Sequence, residues 1–174
     1  MENMKILTEI SDATIGIGAS EHLGEQYQLR KSARVILENS TGEIALQHLE
    51  NYGFYKLPGG GVDEGETLEA AAGREVMEEV GCTCTIVRPI GMIIEYRDKY
   101  KLLHISYCFV ARVTSAISAP AFEAAEIEAG QKNIWVEANV GLDLIKNGTK
   151  ANYESSFNIP REIAFLEEYL RLTI

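Results

Sequence analysis

Three glutamates in one predicted helix are the residues whose types and spacing point most directly to chemistry. Glu75, Glu78 and Glu79 are three and four positions apart, so on a helix they project from one face. Like charges at that spacing repel, and the helix dipole also disfavours negative charge in the last turns. A divalent cation such as Mg²⁺ or Mn²⁺ would offset both costs, because such hard ions prefer carboxylate oxygens. The alternative interpretation is a solvated acidic surface, which these residues alone do not exclude.

A glycine-rich loop, "LPGGGVDEGET", comes directly before that helix at residues 57–67. Glycines allow positive φ angles and let another group approach the backbone closely. The loop is not a phosphate-binding loop of the G-x-x-x-x-G-K-[ST] type, because no Lys-Ser/Thr pair follows. It is not a dinucleotide fingerprint either, because no strand–G-x-G-x-x-G–helix unit is present. Glu66 and Arg74 bracket the start of the helix, so loop and helix form one candidate site.

The residues from Gly60 to Cys82 resemble the Nudix box, G-x5-E-x7-R-E-U-x-E-E-x-G-U, in which U is a bulky aliphatic residue. Every fixed position matches, including Glu66 and Arg74, and Cys82 is a smaller residue than usual at the last U. Trp135, in "NIWVEANVGLDLI", is similar to the family's late W-V strand followed by a helix. Nudix proteins are typically hydrolases, so the resemblance implies Mg²⁺- or Mn²⁺-dependent cleavage of a diphosphate linkage in a nucleoside diphosphate joined to another group. It also implies an α/β/α sandwich with a mixed central β-sheet.

The resemblance further assigns roles to single residues. Glu75 and Glu79 are the expected metal ligands, Glu78 a third ligand or a base, and the Gly59 carbonyl a further member of the metal shell.

Arg74 and Glu66 resemble the family's buried ion pair, which braces the loop against the helix. Both residues therefore count among the catalytic residues that the resemblance implies, together with Glu78 and Glu79.

The general base varies within the family, sometimes a glutamate of the box and sometimes one on a distant loop. The segment "EAAEIEAG" supplies Glu123, Glu126 and Glu128, and position favours Glu126 or Glu128. The alternative interpretation of this segment is a solvated acidic loop.

Substrate choice depends on residues outside the box, and "EYRDKYK" is the candidate segment. Tyr96 and Tyr100 lie near the position where dinucleoside polyphosphate hydrolases carry a tyrosine, and an aromatic ring there could stack on a base while Arg97 meets phosphates. The alternative is that they are ordinary hairpin residues. Nucleoside triphosphates, nucleotide sugars, ADP-ribose and dinucleoside polyphosphates all remain open as substrates.

Hydrophobic patterns and turn residues predict the strands and helices that position these side chains. "SARVILENSTGEIALQHL" predicts two strands around a turn, and two further strand-like runs are joined by "RDKYK". A helix is predicted from its cap at Thr67 to Val80, with Gly81 ending it. Leu57 is expected to close a short strand before Pro58. A last amphipathic helix, "NIPREIAFLEEYLRL", has Pro160 near its predicted first turn. The irregular alternation favours an α/β or α+β fold with a mixed sheet.

Composition sets the remaining limits. Residues 1–174 suit a single domain, and the net charge of −10 argues against a protein that grips nucleic acid through its backbone. No apolar run is long enough to span a membrane, and no signal peptide is evident, so a cytoplasmic location is expected. Nudix proteins are often dimers, but the apolar stripe of the last helix, Ile163, Leu166 and Leu170, is equally well explained by packing on its own domain. The alternative functions are a non-catalytic nucleotide-binding or regulatory module, and a structural protein with an acidic surface helix.

Overall fold

The computed structural model describes residues 4–19 and 26–173. The strands are β1 Ile6–Ser11, β2 Gln28–Glu38, β3 Ile44–Leu49, β4 Phe54–Lys56, β5 Cys84–Arg97, β6 Leu102–Val113 and β7 Gln131–Val136. The helices are α1 Leu68–Val80, α2 Ala124–Glu128, α3 Ala138–Lys146 and α4 Tyr153–Thr173, with a 3₁₀ turn at Asp98–Tyr100.

The strands form a mixed sheet in the order β1-β5-β6-β2-β3-β4, with β7 paired to β3. β1 with β5 and β2 with β6 are parallel, whereas β5 with β6 and the pairs around β3 are antiparallel. The prediction of a mixed sheet is therefore confirmed.

Side chains of β2 alternate between two cores, one on each face of the sheet. Ala33, Val35 and Leu37 belong to the core beneath α1, whereas Ile36 belongs to the core that α3 and α4 cover. Because the sheet carries helices on both faces, the predicted α/β/α sandwich is confirmed. Helix α4 packs on β1, β4 and β5 of the sheet. The assignment of residues 1–174 to a single domain stays a prediction.

Helix α1 has the boundaries that its sequence predicts. The Thr67 side chain accepts a hydrogen bond from the Ala70 N–H at 3.1 Å, and Gly81 ends the helix with a φ of 80°. Val76 and Val80 are buried on the side that faces the sheet. The Glu79 side chain is also buried, although it is charged.

Two predicted boundaries are wrong. Helix α4 begins at Tyr153, so Pro160 lies inside the helix and not near its first turn. The helix starts early because Asn152 and Ser155 cap it reciprocally: Asn152 Oδ1 accepts from the Ser155 N–H at 2.8 Å, and Ser155 Oγ accepts from the Asn152 N–H at 3.0 Å. Strand β4 ends at Lys56, one residue before Leu57, whose N–H points to the Glu162 side chain at 3.4 Å.

The apolar stripe of α4 packs on its own domain. Leu166 is fully buried in the core, and Ile163 and Leu170 pack against that core. A homodimer stays a prediction. Among the described helices, none is both long and apolar enough to cross a membrane.

Candidate active site

The glycine-rich loop is held in place as an additional partner of β2. The Ala33 N–H donates to the Gly60 carbonyl at 3.0 Å, and the Val35 N–H donates to the Pro58 carbonyl at 2.9 Å. Gly59 has a φ of 131°, and a Cβ there would lie 2.1 Å from the Ala33 carbonyl oxygen. Only glycine fits at this position, because both the backbone angle and the close approach to β2 exclude a side chain.

Arg74 joins the loop to helix α1. Its Nε and Nη2 donate to the two carboxylate oxygens of Glu66 at 3.1 Å each, and Nη2 also donates to the Gly61 carbonyl at 2.8 Å. The Arg74 side chain is 31% exposed, so the pair links the loop to the helix but is not buried, and its role in catalysis stays a prediction. The hydrogen bonds from Arg74, together with one from the Asp63 N–H at 3.1 Å, hold Glu66 in place and lower its pKa.

Arg74 also relieves the repulsion between two of the helix glutamates. Its Nη1 donates to Glu75 at 2.8 Å and to Glu78 at 3.1 Å. Glu75 is largely buried, and burial raises its pKa although Arg74 acts in the opposite direction. The Glu78 side chain is 45% exposed, so Arg74 is paired with a carboxylate that also faces solvent.

Glu79 is the most deeply buried of the three helix glutamates, with 2% of its surface exposed. Its Oε2 accepts from the Gly59 N–H at 2.5 Å, and its Oε1 lies 3.3 Å from Lys56 Nζ. Burial would raise the pKa of Glu79, but Lys56 and the hydrogen bonds from Glu126 and Gly59 outweigh it and lower the pKa. The backbone carbonyl of Glu79 accepts from Asn133 Nδ2 at 2.6 Å, which ties the end of α1 to β7.

Of the two predicted loop bases, the structure brings Glu126 to the site. Its carboxyl group hydrogen-bonds to Glu79, and burial together with this bond raises the pKa of Glu126 to about 7. Glu126 and Glu123 also cap α2 reciprocally. Glu128 is exposed on α2, and its backbone carbonyl accepts from Asn51.

These groups line one cavity of about 460 Å³, which we call the charged cavity. Its wall includes the glycines of the loop and ionisable side chains of both signs. These side chains are Arg30, Arg34, Lys56, Asp63, Arg74, Glu75, Glu78, Glu79, Glu123 and Glu126. A larger surface groove of about 660 Å³ lies beside residues 62–69, and Glu66 is the one predicted site residue that lines it.

The oxygen donors of the charged cavity fit a divalent cation in their chemistry. Glu79 and Glu126 are carboxyl groups held against each other, an arrangement in which a cation could replace the proton between them. Glu75 lies against the loop, where a Cβ at Gly60 would come within 2.5 Å of its Oε1. In residues 4–19 and 26–173, no three His, Cys, Asp or Glu side chains already form a metal-holding group. The Gly59 carbonyl accepts a hydrogen bond from Arg34 Nη1, and its place in a metal shell stays a prediction.

The three candidate substrate residues of β5 and its turn lie outside the charged cavity. The Tyr96 ring packs edge-on against Tyr27, and Arg97 donates to Glu95 at 2.9 and 3.1 Å inside the core. Tyr100 packs edge-on against Tyr153. Their role in substrate binding stays a prediction.

Sequence reasoning missed two cations of the site. Arg34 is the one charged residue in the buried run of β2 from Ser32 to Leu37, and that interruption of an apolar run was the available signal. Lys56 comes directly before the glycine-rich loop, where a cation next to the glutamates could have been suspected.

Comparisons with known proteins identify the family of this chain. The sequence profile of the NUDIX domain matches residues 28–156. An "RNA pyrophosphohydrolase" of Erythrobacter litoralis is 35% identical over 88 residues, which is 49% of this chain and 52% of that protein. A "Putative 8-oxo-dGTP diphosphatase" of Bacillus subtilis is 39% identical over 62 residues, 36% of this chain and 42% of that protein. The chain thus spans about half or less of the length of the curated relatives that it matches.

Solved structures show the same fold at low sequence identity. A MutT protein from Methanosarcina mazei Go1 superposes with a TM-score of 0.61 at 20% identity, covering 86% of this chain and 99% of that one. Because the profile covers most of the chain and includes both the loop and helix α1, the chain belongs to the NUDIX family.

Proposed function

We propose that this protein hydrolyses a diphosphate linkage in a nucleoside diphosphate joined to another group, with Mg²⁺ or Mn²⁺ as its cofactor. The observation that carries the proposal is the charged cavity, in which Glu75, Glu79 and Glu126 face Arg34 and Lys56. A site of this kind offers carboxylates to a cation and cations to phosphate oxygens.

The basic side chains position the diphosphate. Arg34 is held by the Gly59 carbonyl, and Lys56 lies beside Glu79, so both cations are fixed before a substrate arrives. Charge-assisted hydrogen bonds from such groups to phosphate oxygens are short and strong. A divalent ion supplies charge neutralisation for the diphosphate and makes a water molecule more acidic.

Glu75 and Glu79 are the side chains that would hold the ion, with Glu78 as a third ligand. Glu126 is the candidate general base by its position, because it lines the charged cavity and contacts Glu79. A general base must lie within hydrogen-bond reach of the proton that it abstracts. Glu128 does not line the cavity.

The substrate class stays open between several nucleotides. The relatives are named for RNA and for an oxidised nucleotide. A pyrophosphohydrolase acting on RNA needs an anhydride bond at the 5′ end, whereas the net charge of −10 disfavours an extended contact with the rest of the RNA. A nucleotide that fits inside the cavity is therefore the preferred substrate. We further propose that the protein acts in the cytoplasm.

The decisive experiment is a substrate panel with Mg²⁺ or Mn²⁺. It contains nucleoside triphosphates including an 8-oxo form, nucleotide sugars, ADP-ribose, dinucleoside polyphosphates and 5′-triphosphate RNA. Products are separated and identified by chromatography, and EDTA is the control without metal. Hydrolysis of at least one compound that EDTA abolishes is the expected result.

Glu126→Gln and Glu128→Gln form a matched pair on α2 for the base. Loss of a general base lowers kcat by roughly 10²–10⁴-fold, so Glu126→Gln is expected to fall in that range while Glu128→Gln keeps the wild-type kcat. Nucleotide binding without release of phosphate from any compound would instead identify a non-catalytic binding module.

A further inference from the structure

Helix α2 forms part of the wall of the charged cavity, yet none of its own side chains anchors it in a core. Ala125 and Glu126 line the cavity. None of the five residues of α2, all of which the structure describes, is buried, and Ile127 is 66% exposed. Most helices in proteins are stabilised by packing of an apolar face. Because α2 has no buried face, contacts at its two ends determine where it lies.

The segment before α2, residues 114–123, is attached to the end of α1, and we call it the connector. The N–H and the Oγ of Ser118 both donate to the Gly81 carbonyl at 2.8 Å, and the Ala121 N–H donates to the Glu78 carbonyl at 2.7 Å. Carbonyls at the end of a helix lack partners within the helix, so they are free to accept these bonds. A Cβ at Gly81 would lie 2.3 Å from the Ser118 carbonyl oxygen, so the connector lies directly against the helix end.

The other end of α2 is held by Asn51, which lies between β3 and β4. Its side-chain Nδ2 donates to the Glu128 carbonyl at 2.7 Å, and its backbone N–H donates to the Ala129 carbonyl at 3.1 Å. Helix α2 is therefore attached to α1 through the connector and to the β3–β4 hairpin through Asn51.

The first turn of α2 carries this position on to Glu126. The Glu123 N–H donates to Glu126 Oε2 at 2.7 Å, and the Glu126 carboxyl group hydrogen-bonds to Glu79. Glu78 and Gly81, which accept the bonds from the connector, lie on either side of Glu79 in the chain. The end of α1 that bears Glu79 thus also fixes the start of α2.

We propose that Ser118 and Asn51 are positioning residues for the hydrolytic reaction, because their side chains hold α2 where Glu126 reaches Glu79. This inference rests on the proposed function, in which Glu126 is the general base. Neither Ser118 nor Asn51 lines the charged cavity, so both act through Glu126. A general base must lie within hydrogen-bond reach of its proton, and a displacement of about 1 Å can lower a rate by roughly 10²-fold.

The test starts from Ser118→Ala/Asn51→Ala, the tether variant, which loses both side-chain bonds. The backbone bonds of Ser118, Ala121 and Asn51 remain, so the fold is retained. We expect kcat to fall by roughly 10-fold, because Glu126 is no longer held in place. KM should stay within about twofold of the wild type, because the cations that meet the phosphates are unchanged.

The matched control is Ser115→Ala/Asn147→Ala. Ser115 belongs to the same connector, but its Oγ accepts from the Thr83 N–H at 2.9 Å. Asn147 Nδ2 donates to the Asp143 carbonyl at 2.9 Å, at the end of α3. These two side chains are exposed, as are those of Ser118 and Asn51. The control therefore loses bonds of the same kind without touching α2, and it should keep the wild-type kcat.

A double-mutant cycle separates positioning of Glu126 from a general structural effect. The tether substitutions are added to Glu126→Gln, and the residual rate is measured by single-turnover kinetics. They should change kcat by less than about twofold in that background, because the group that they position is already absent. A merely structural role would lower kcat by the same factor in both backgrounds.

Hydrogen exchange followed by mass spectrometry reports on α2 without any measurement of hydrolysis. Amides of residues 118–128 should exchange roughly 10-fold faster in the tether variant than in the wild type, because α2 opens locally more often. The control variant should exchange there at the wild-type rate.

Four results would overturn the inference. They are an unchanged kcat in the tether variant, an equal fall in the control variant, an equal fall with and without Glu126→Gln, and unchanged exchange of residues 118–128. Loss of activity in Glu126→Gln together with a neutral tether variant refutes this inference alone. A wild type that hydrolyses no compound of the panel refutes the proposed function, whereas faster exchange in the tether variant would still support the attachment of α2 by Ser118 and Asn51.

Discussion

Two clusters of charged side chains lie on opposite sides of the sheet and differ in how their charges are paired. On the α1 side, Glu75 and Glu79 line an open cavity, and Glu78 is partly exposed. On the α4 side, Arg161 and Glu95 are buried in the core at 1% and 0% exposure. We call the first group the open cluster and the second the sealed cluster.

The sealed cluster is paired internally. Arg161 donates to Glu162 Oε1 at 2.5 and 3.0 Å and to Glu95 Oε1 at 3.4 Å, while Arg97 donates to Glu95 Oε2. In the open cluster, by contrast, two carboxyl groups, Glu79 and Glu126, share one hydrogen bond. Buried charge alone therefore does not indicate a functional site. Charges that face a cavity and lack enough partners of opposite sign are the better indication.

The largest expected effect is the loss of stability when the sealed cluster is broken by substitution. Arg161→Met should lower the free energy of unfolding by about 3–5 kcal/mol, because it leaves Glu162 buried without its cation and removes Arg161 from Glu95, which keeps Arg97. Urea unfolding followed by circular dichroism measures this loss.

The matched control is Arg171→Met near the end of the same helix. Arg171 pairs with Glu168 at 2.7 Å but is 61% exposed, so its removal should cost no more than about 1 kcal/mol. Equal losses in the two variants would contradict the view that the inner cluster is structural.

The next largest effect is the loss of activity when a carboxylate of the open cluster is neutralised. Glu79→Gln should lower diphosphatase activity by roughly 10²–10³-fold, because metal-ion charge stabilisation is worth several kcal/mol and each factor of ten in rate corresponds to about 1.4 kcal/mol. Its loss of stability should be smaller than that of Arg161→Met, because Glu126 can ionise and pair with Lys56. Rates are measured with Mg²⁺ on the best substrate of the panel.

Glu69→Gln is the control for that variant, since Glu69 is exposed in the first turn of α1 and does not line the charged cavity. It should keep wild-type activity. Activity near the wild-type level in Glu79→Gln with Mg²⁺ would refute the role of Glu79 as a ligand.

Arg34 lies between the two clusters, because it lines the charged cavity and is also close to Arg161. Its substitution shows whether it contributes to activity, to stability or to both. Arg34 donates to the Gly59 carbonyl, and burial, followed by the nearby Arg161, lowers its pKa to about 10. Arg34→Met should cost about 1.5–3 kcal/mol of stability, the value of a hydrogen bond to a charged group. It should also lower kcat/KM, because the loop loses the hydrogen bond that Arg34 donates to the Gly59 carbonyl. A variant that loses stability but keeps wild-type kcat/KM would assign Arg34 to the sealed cluster alone.

The loop-and-helix part of the open cluster could be predicted from sequence because its residues are close together in the chain, whereas Arg34 and Lys56, which come from β2 and β4, were missed. Glu66, Arg74 and Glu79 lie on one loop and one helix, so local spacing fixes their arrangement. The sealed cluster could not be predicted in this way, because Glu95, His104 and Arg161 come from three elements and meet only in the folded chain.

The start of α4 shows the same limit. Pro160 suggested a first turn, but the Asn152 and Ser155 cap further upstream determines the start. Arg161 follows Phe157 by four residues and precedes Phe165 by four, so a charge in an apolar stripe was the one local sign of the sealed cluster.

The smallest expected effect, taken per pH unit, concerns the pH dependence of the stability that the sealed cluster provides. Burial lowers the pKa of His104 to about 4, against the opposing effect of Glu95, whose Oε2 lies 2.7 Å from His104 Nδ1. Arg161 and Arg97 are the other charges that face the ring. Between pH 6.5 and 4 the unfolded chain therefore binds one more proton at this residue than the folded chain, and stability falls as the pH falls.

His104→Gln should remove that part of the pH dependence, which amounts to at most about 1.4 kcal/mol per pH unit. Urea unfolding at intervals from pH 7 to 4 measures the slope, and His48→Gln on β3, where the ring stacks on Tyr55, is the control. The pKa of Glu95 is also lowered, to about 2, because Arg161 and its other partners outweigh burial. That contribution is lost only below about pH 4.5, since the unfolded carboxyl group starts to bind protons there. A His104→Gln slope equal to that of the wild type between pH 6.5 and 4.5 would show that His104 is not held neutral in the fold.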